Sequence, residues 1–278
     1  NLIENEQVTF TAAVPTIWLM LFEYLEQSGK KLDSLKSCVV GGSACPRFMM
    51  EKFYEKYGVE VLHCWGMTET SPIGTINRPL AKHYGQSFSE RLDVAVKQGR
   101  PVYGVEIKIT DENDITLPNN GKDFGNLWIR GPWICSGYLN IEKSETHGED
   151  DWFMTGDVAT IDEDGFMQIT DRTKDVIKSG GEWISSIEIE NFAVGHPSVM
   201  EAGVIGVFHP KWDERPLLII VKNENARVSK EEILDFLKDK IVSWWMPDDV
   251  VFVESLPHTA TGKIQKLALR EQFKDYKF

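Results

Sequence analysis

Between residues 8 and 63 the chain alternates strand-like apolar runs with helical periodicity, and the order of these pieces leaves few architectures open. Val8-Thr9-Phe10-Thr11-Ala12 reads as a strand. Pro15 suits the first turn of a helix. Ile17, Leu21, Tyr24 and Leu25 then recur on one face at helical spacing, and Gly29 ends the segment. Ser37-Cys38-Val39-Val40 reads as a buried strand that breaks into Gly41-Gly42. Pro46 opens a second helix, to about Tyr57, and Val59-Glu60-Val61-Leu62-His63 is a further short strand. Strand, helix and strand at this spacing predict βαβ units of a parallel sheet.

From about Arg78 the texture changes. Short alternating segments appear at Val105–Ile109, Asn126–Ile129, Val158–Ile161 and Phe166–Ile169. Turn-rich pieces, Pro118-Asn119-Asn120-Gly121 and Asp162-Glu163-Asp164-Gly165, separate them. They predict a small antiparallel barrel or sheet. Beyond Asp171 the spacing predicts a helix near Ser185–Val194, strands near Glu201–Val207 and Leu217–Val221, and a helix near Lys230–Val242. Ser229 and Glu232 form a capping-box pattern at the start of that last helix. A strand at Val250–Glu254 follows. The expected fold class is therefore α/β and α+β. A large domain spans 1–171, with a parallel α/β piece at 1–77 and a small β-barrel subdomain at 78–171. It is hinged to a small α+β domain at 172–278.

Charge narrows the partners. The formal net charge of −13 leaves no basic surplus to neutralise phosphates, which argues against unaided nucleic-acid binding. It does not exclude an anionic small ligand, which depends on local donors and metal ions. No uninterrupted apolar run approaches the length of a transmembrane segment, and no secretory signal opens the chain. Cys38, Cys45, Cys64 and Cys135 have neither CxxC spacing nor a histidine cluster. They read as free thiols of a reducing compartment, so the expected location is cytoplasmic.

Several short segments could carry chemistry. Gly41-Gly42-Ser43-Ala44 sits between a strand and a helix, where small residues let a flat ring or a phosphate approach the backbone. Its spacing is not that of a GxGxxG loop. In Trp65-Gly66-Met67-Thr68-Glu69-Thr70 a hydroxyl and a carboxylate stand side by side, suiting a phosphate oxygen and its Mg²⁺. A helix start capped by Thr68 accounts for the same residues. Trp152-Phe153-Met154-Thr155-Gly156-Asp157 puts a carboxylate after a glycine turn at the start of a strand. Such a group can grip two ribose hydroxyls or simply close an Asx turn. Leu256-Pro257-His258-Thr259-Ala260-Thr261-Gly262-Lys263-Ile264-Gln265-Lys266 places a lysine after a glycine, which alone reads as a solvated charge.

With Asp171-Arg172-Thr173-Lys174-Asp175, these segments resemble, in this order, the motifs of the adenylate-forming superfamily. That superfamily comprises acyl-CoA synthetases, luciferases and peptide-synthetase adenylation domains. The resemblance implies that Gly41, Gly42, Ser43 and Ala44 cover one face of adenine while Trp65 stacks on the other. It makes Gly66 and Met67 part of the nucleotide-binding turn, Thr68 a phosphate contact, Glu69 the Mg²⁺ residue and Asp157 the ribose clasp. Arg172 is implied as a ribose or phosphate contact, Lys174 as the hinge of a rotating small domain, and Lys263 as the adenylating lysine. Acetate-specific relatives carry a bulky aromatic at the position of Gly66, so glycine there implies a longer acyl chain. Lys178-Ser179-Gly180-Gly181-Glu182-Trp183-Ile184-Ser185 and His209–Pro216 resemble medium- and long-chain fatty acyl-CoA synthetases. Gly181 and Trp183 enter as coenzyme A contacts, the glycines letting a thin pantetheine arm approach.

The implied reaction joins a fatty acid to the α-phosphate of ATP as acyl-AMP and then to the CoA thiol. Mg²⁺ on Glu69, together with Lys263, would supply the positive charge that meeting anions require. No protein nucleophile is needed, and His63, His196 and His258 are expected to be structural. The family's Ser/Thr/Gly-rich phosphate loop would lie upstream of residue 1, with the front wall of the acyl pocket and any homodimer contact of the full-length parent. The resemblance therefore predicts an incomplete N-terminal domain, and weak or absent adenylation by these residues alone. Two alternatives stay open: an aryl-acid or other adenylate-forming ligase, or a non-catalytic nucleotide-binding fragment.

Overall fold

A computed structural model describes residues 1–141, 146–224, 226–259 and 263–278. The chain divides into two compact units, Asn1–Ile169 and Thr170–Phe278.

The first unit opens with a short helix α1 (Leu2–Asn5), strand β1 (Phe10–Ala13) and helix α2 (Pro15–Ser28). Pro15 occupies the first helical turn, and Gly29, at φ +66°, stops the helix in the left-handed region. The stripe that α2 buries is Trp18, Phe22 and Leu25, while Ile17 and Tyr24 are exposed. The helix is apolar on two adjacent stripes, and the one with two aromatic rings goes inward because it removes more surface from water. Strand β2 (Ser37–Val40) follows, then α3 (Arg47–Glu51), which widens into a π-helical turn over Lys52–Lys56. The helix expected to reach Tyr57 is thus α-helical only in its first half. Phe53 in the widened turn is fully buried, its ring centroid 5.3 Å from that of Trp18 and 4.6 Å from that of Phe22.

Strand β3 (Glu60–Trp65) completes the parallel set, with Phe10 opposite Ser37 and Val40 opposite His63. Two short strands, β4 (Thr75–Ile76) and β5 (Arg100–Pro101), add antiparallel edges to it. Between them lies α4 (Phe88–Ala95), a helix absent from the sequence expectations although Ser87 and Glu90 form its capping box. A second sheet runs β6 (Glu106–Thr110), β7 (Gly125–Arg130), β8 (Phe153–Ile161) and β9 (Met167–Arg172) in chain order. Among the described residues no pairing joins β6 to β9. The subdomain expected as a small antiparallel barrel or sheet is, among the described residues, a four-stranded antiparallel sheet.

The second unit is built on a five-stranded sheet. Strands β10 (Ile177–Ser179) and β11 (Glu182–Ile184) form a hairpin. Helix α5 (Ser186–Ala193) is capped by Ser185, whose side chain accepts the Glu188 N–H. The long strands β12 (Val199–His209) and β13 (Asp213–Lys222) pair antiparallel over ten residue pairs. Helix α6 (Lys230–Leu237) starts at the Ser229–Glu232 capping box and ends five residues before the expected Val242. Strand β14 (Asp249–Val253) lies parallel to β13, and α7 (Lys266–Gln272) closes the chain. One face of the sheet packs with Ile189, Ile233 and Leu237, the other with Leu256 and Leu269. Among the described residues no helix is long and apolar enough to cross a membrane.

Candidate active site

The parallel strands β2 and β3 end side by side, and the segments 41–44 and 65–70 continue from their carboxyl ends. In open parallel sheets that edge is where ligands settle. The backbone is crowded there. A Cβ on Gly41 would stand 3.3 Å from the Cys64 carbonyl oxygen. Gly42 has φ +84° and would bring a Cβ to 3.0 Å from Val14 Cγ1. Behind this loop His63 is fully buried. Its Nδ1 is 3.0 Å from the Val96 carbonyl, and its Nε2 accepts the Cys45 N–H at 3.2 Å. Burial pushes the imidazole down to about 4, so it is neutral and pins the start of α3.

Asp157 reaches the same edge from the second sheet. It was expected at a strand start, but it lies in the middle of β8, at a bulge. Asn126 pairs with Val158 and Trp128 with Met154, so one residue of β7, Leu127, faces three of β8. Gly156 takes φ +73° inside the bulge. Bulges bend a strand and re-aim its side chains. The re-aimed Asp157 carboxylate, 5 % exposed, accepts the Trp65 indole N–H at 2.9 Å. The Thr155 hydroxyl donates to the Leu127 carbonyl at 2.9 Å and accepts the Asp157 N–H, which fastens the bulge to β7. Trp65 itself is 9 % exposed and packs with Ile129 and Phe153. A Cβ on Gly74 would fall 2.4 Å from its ring. Its visible duty is at its edge, where it orients the carboxylate.

Residues 68–70 form a single 3₁₀ turn. The buried hydroxyl is that of Thr70, which donates to the Pro72 carbonyl at 2.6 Å and accepts the Met67 N–H at 2.9 Å. This leaves Thr68 exposed and Glu69 half-buried. A Cβ on Gly66 would lie 1.7 Å from the Pro72 carbonyl oxygen. A side chain at 66 therefore points into backbone, and the expectation that Gly66 opens an acyl pocket has no support in this geometry. Glu69 Oε1 accepts the Tyr138 hydroxyl at 2.9 Å, a partner that sequence reading did not find. Burial and the adjacent Glu69 push that phenol up to about 12, so it stays a donor. Among the described residues no group of three His, Cys, Asp or Glu side chains could hold a metal. One carboxylate suits Mg²⁺ when most of its oxygens come from phosphate and water.

In the second unit Arg172 and Lys174 are exposed where β9 ends. Gly180 and Gly181, at φ +60° and +88°, form the two-residue turn between β10 and β11. Trp183 is half-buried on β11, with the Lys178 ammonium 5.6 Å from its ring. The Lys263 side chain is exposed. Its N–H donates to the Thr259 hydroxyl at 3.2 Å and its carbonyl accepts the Thr259 N–H at 2.8 Å. Ala260, Thr261 and Gly262 of this motif lie outside the described residues. The structure thus gathers Gly41–Ala44, Trp65–Glu69 and Asp157 in one unit, and holds Arg172, Lys174, Gly181, Trp183 and Lys263 in the other.

Comparison with known proteins points the same way. A family profile described as AMP-binding enzyme matches residues 1–139, and one described as AMP-binding enzyme C-terminal domain matches 188–263. The 3-methylmercaptopropionyl-CoA ligase of Ruegeria pomeroyi is 52 % identical over 275 residues, covering 99 % of this chain and 51 % of the ligase. The medium-chain-fatty-acid–CoA ligase of Ectopseudomonas oleovorans is 50 % identical, covering 99 % of this chain and 50 % of that protein. The crystal structure of anthranilate CoA ligase AuaEII in complex with anthranoyl-AMP superposes with TM-score 0.84 at 30 % identity, over 98 % of this chain and 51 % of its own. ATP-bound MatB from Rhodopseudomonas palustris superposes with TM-score 0.80 at 30 % identity, over 97 % and 52 %. The chain spans about half the length of the curated relatives it matches.

Proposed function

The chain belongs to the AMP-binding enzyme family, and from that membership we propose that the complete protein is an ATP-dependent acid–thiol ligase acting on an aliphatic carboxylate. The observation that carries this reading is the bond from Trp65 to Asp157. It joins the bulged strand of one sheet to the end of β3 in the other, leaving a buried, oriented carboxylate. The aliphatic preference is supported by relatives named for methylmercaptopropionate, medium-chain and long-chain acids at 52, 50 and 44 % identity, against 35 % for a cinnamate ligase.

In this reading Gly41, Gly42, Ser43 and Ala44 admit the adenine ring to the backbone, and Asp157 accepts the ribose hydroxyls with Trp65 holding it in place. Thr68 donates to a phosphate oxygen, and Gly66 and Met67 shape the turn that presents it. Glu69, oriented by Tyr138, would hold the Mg²⁺ that enters with ATP, and the ion would offset phosphate charge. Residues 1–169 are the distal part of the nucleotide domain and 170–278 the lid, with Lys174 as its hinge. Arg172 meets ribose or phosphate, Gly181 and Trp183 border the path of coenzyme A, and Lys263 neutralises charge as the acyl phosphate forms. An oxygen of the acid bonds to the α-phosphorus and pyrophosphate leaves. The thiol sulfur then bonds to the acyl carbon, AMP departs with the C–O electron pair, and the thiol proton is released.

The test measures acyl-AMP and acyl-CoA formation with ATP, Mg²⁺, CoA and acids of graded length, including 3-methylmercaptopropionate and cinnamate. It compares this chain with a version extended upstream. Turnover of aliphatic acids by the extended form alone supports the reading. Equal activity of the short chain refutes the need for upstream phosphate contacts. A preference for cinnamate moves the assignment to aryl acids, and no turnover by either form removes the ligase reading.

A further inference from the structure

Lys266 is the first residue of α7, three positions after Lys263, and it does not behave as the surface charge its sequence suggests. Its side chain is 11 % exposed. The ammonium lies 3.0 Å from Glu190 Oε1 on α5 and 3.8 Å from Asp171 Oδ1, and it donates to the Ser186 hydroxyl. Asp171 is 1 % exposed. Its Oδ2 accepts the Ser186 N–H at 3.0 Å and the Ser186 hydroxyl, and its Oδ1 accepts the Arg172 N–H at 2.8 Å. Glu190 Oε1 also accepts the Val204 N–H, at 2.8 Å, from β12. Burial alone would lower the lysine; the two carboxylates outweigh it and hold the ammonium above the usual lysine range.

One helical turn later Arg270 repeats the contact. Its Nη2 donates to the Asp175 carbonyl at 3.0 Å, and its Nη1 lies 3.3 Å from Glu214 Oε1. Glu214 Oε2 accepts the Lys178 N–H at 3.1 Å. Residues four apart share a helix face, so α7 is tied at both its turns to the segment 171–175, which contains Lys174. The other side of this helix is packed against β12. A Cβ on Gly203 would come within 3.1 Å of Leu269 and 3.6 Å of Ile264, so the glycine lets the helix lie close to the strand. Ile264 bridges to His258 and Gln265 donates its N–H to the Pro257 carbonyl at 2.8 Å, which fastens both arms of the turn bearing Lys263 to the start of α7.

We propose that Lys266, through Glu190 and Asp171, is a positioning residue that fixes the start of α7, and with it Lys263, to α5 and to the residue ahead of the hinge. The proposal rests on the ligase reading above. A rigid link is what an exposed lysine at the end of a turn requires. Lys263 is then presented at a fixed place instead of a spread of places, and misplacement of a reacting group by about 1 Å can cost about a hundredfold in rate.

The test uses the complete protein and reads the two half-reactions separately, as acyl-AMP formation and as thioester formation from synthetic acyl-AMP. Removing one partner of a buried ion pair strands the other charge, so Lys266→Met is accompanied by the neutral pair Glu190→Gln/Lys266→Met, in which Asp171 keeps the Ser186 and Arg172 N–H groups, and by Lys266→Arg. The expected result is a fall of about tenfold or more in kcat for acyl-AMP formation in the neutral pair. KM for ATP and acid and the thioester step should stay within about twofold, with substantial recovery in Lys266→Arg. Adenylation at the wild-type rate in the folded neutral pair overturns the proposal. So does an equal loss of both half-reactions that tracks a lowered melting temperature, which marks a merely structural role. Lys263→Ala keeps the two readings apart: if it leaves adenylation intact the ligase mechanism itself fails, whatever Lys266 does.

Discussion

At the scale of single residues, two side-chain environments are explicit enough to predict. Gly66 has no room for a Cβ, since the Pro72 carbonyl oxygen would be 1.7 Å away. Replacing it by alanine must move the backbone of the 3₁₀ turn, and overpacking of this kind costs about 1–3 kcal/mol. Gly66→Ala should lower the urea midpoint of the protein and disturb Thr68 and Glu69 together. Unchanged stability with only a shift in acyl-chain preference would restore the expectation that Gly66 opens the acyl pocket. His63 makes a prediction about pH. Its ordinary value is 6.5 and burial lowers it to about 4 in the folded protein. Between those values the unfolded chain takes up a proton that the folded chain refuses. Stability present above pH 6.5 is therefore lost as pH falls through this window, by about 3 kcal/mol at most. Urea unfolding at pH 7 and at pH 4.5, in the wild type and in His63→Gln, isolates this from the carboxylates. The wild type should lose about 2 kcal/mol more than the variant, and equal losses would show that His63 does not titrate as described.

At the scale of elements, the Gly180–Gly181 hairpin is explained by backbone geometry. Two consecutive positive φ angles in a two-residue loop match the right-handed twist of the flanking strands, and glycine adopts them without strain. The two positions differ in their surroundings. A Cβ at 180 would meet Trp212 at 3.1 Å and Trp244 at 3.3 Å, whereas a Cβ at 181 would meet nothing within 4 Å. Gly181→Ala should therefore cost only the backbone strain, about 1–2 kcal/mol, and Gly180→Ala more, as read from thermal melts. Equal costs would mean that the tryptophan cage yields. Local signals of this kind made much of the fold legible beforehand: the parallel order of β1, β2 and β3 from their periodicity, and the start of α6 from Ser229 and Glu232. Helix α4 escaped because its eight residues bury only Leu92, too little for an apolar period. The candidate site was legible as separate segments and not as an arrangement. Trp65 and Asp157 are 92 residues apart, and Glu69 and Tyr138 are 69 apart. Nothing local to either member announces the other, and the bulge that aims Asp157 shows itself only in the pairing of β7 with β8.

At the scale of the whole molecule, residues 170–278 carry what a domain needs. Ile189, Val204, Leu218, Ile220, Ile233 and Val250 form one apolar core on one face of the five-stranded sheet. Ile205, Leu217, Ile219, Leu256 and Leu269 form a second on the other. The buried cluster of Asp171, Glu190 and Lys266 is bonded to Ser186 and Val204 of the same segment. Arg215, 6 % exposed, places its guanidinium among Asp248, Ser179 and the carbonyls of Trp244 and Met246, also within it. A segment of about a hundred residues with cores on both faces of its own sheet is within the usual size of an independent domain. Expressed alone, residues 170–278 should give a dispersed amide spectrum and a single cooperative unfolding transition. Substituting Leu218→Ala, fully buried in the first of these cores, should lower its stability by about 2–5 kcal/mol. A collapsed spectrum without a cooperative transition would mean that the segment needs residues upstream of 170 to fold, and that the lid assigned to it is not a body able to rotate as a unit.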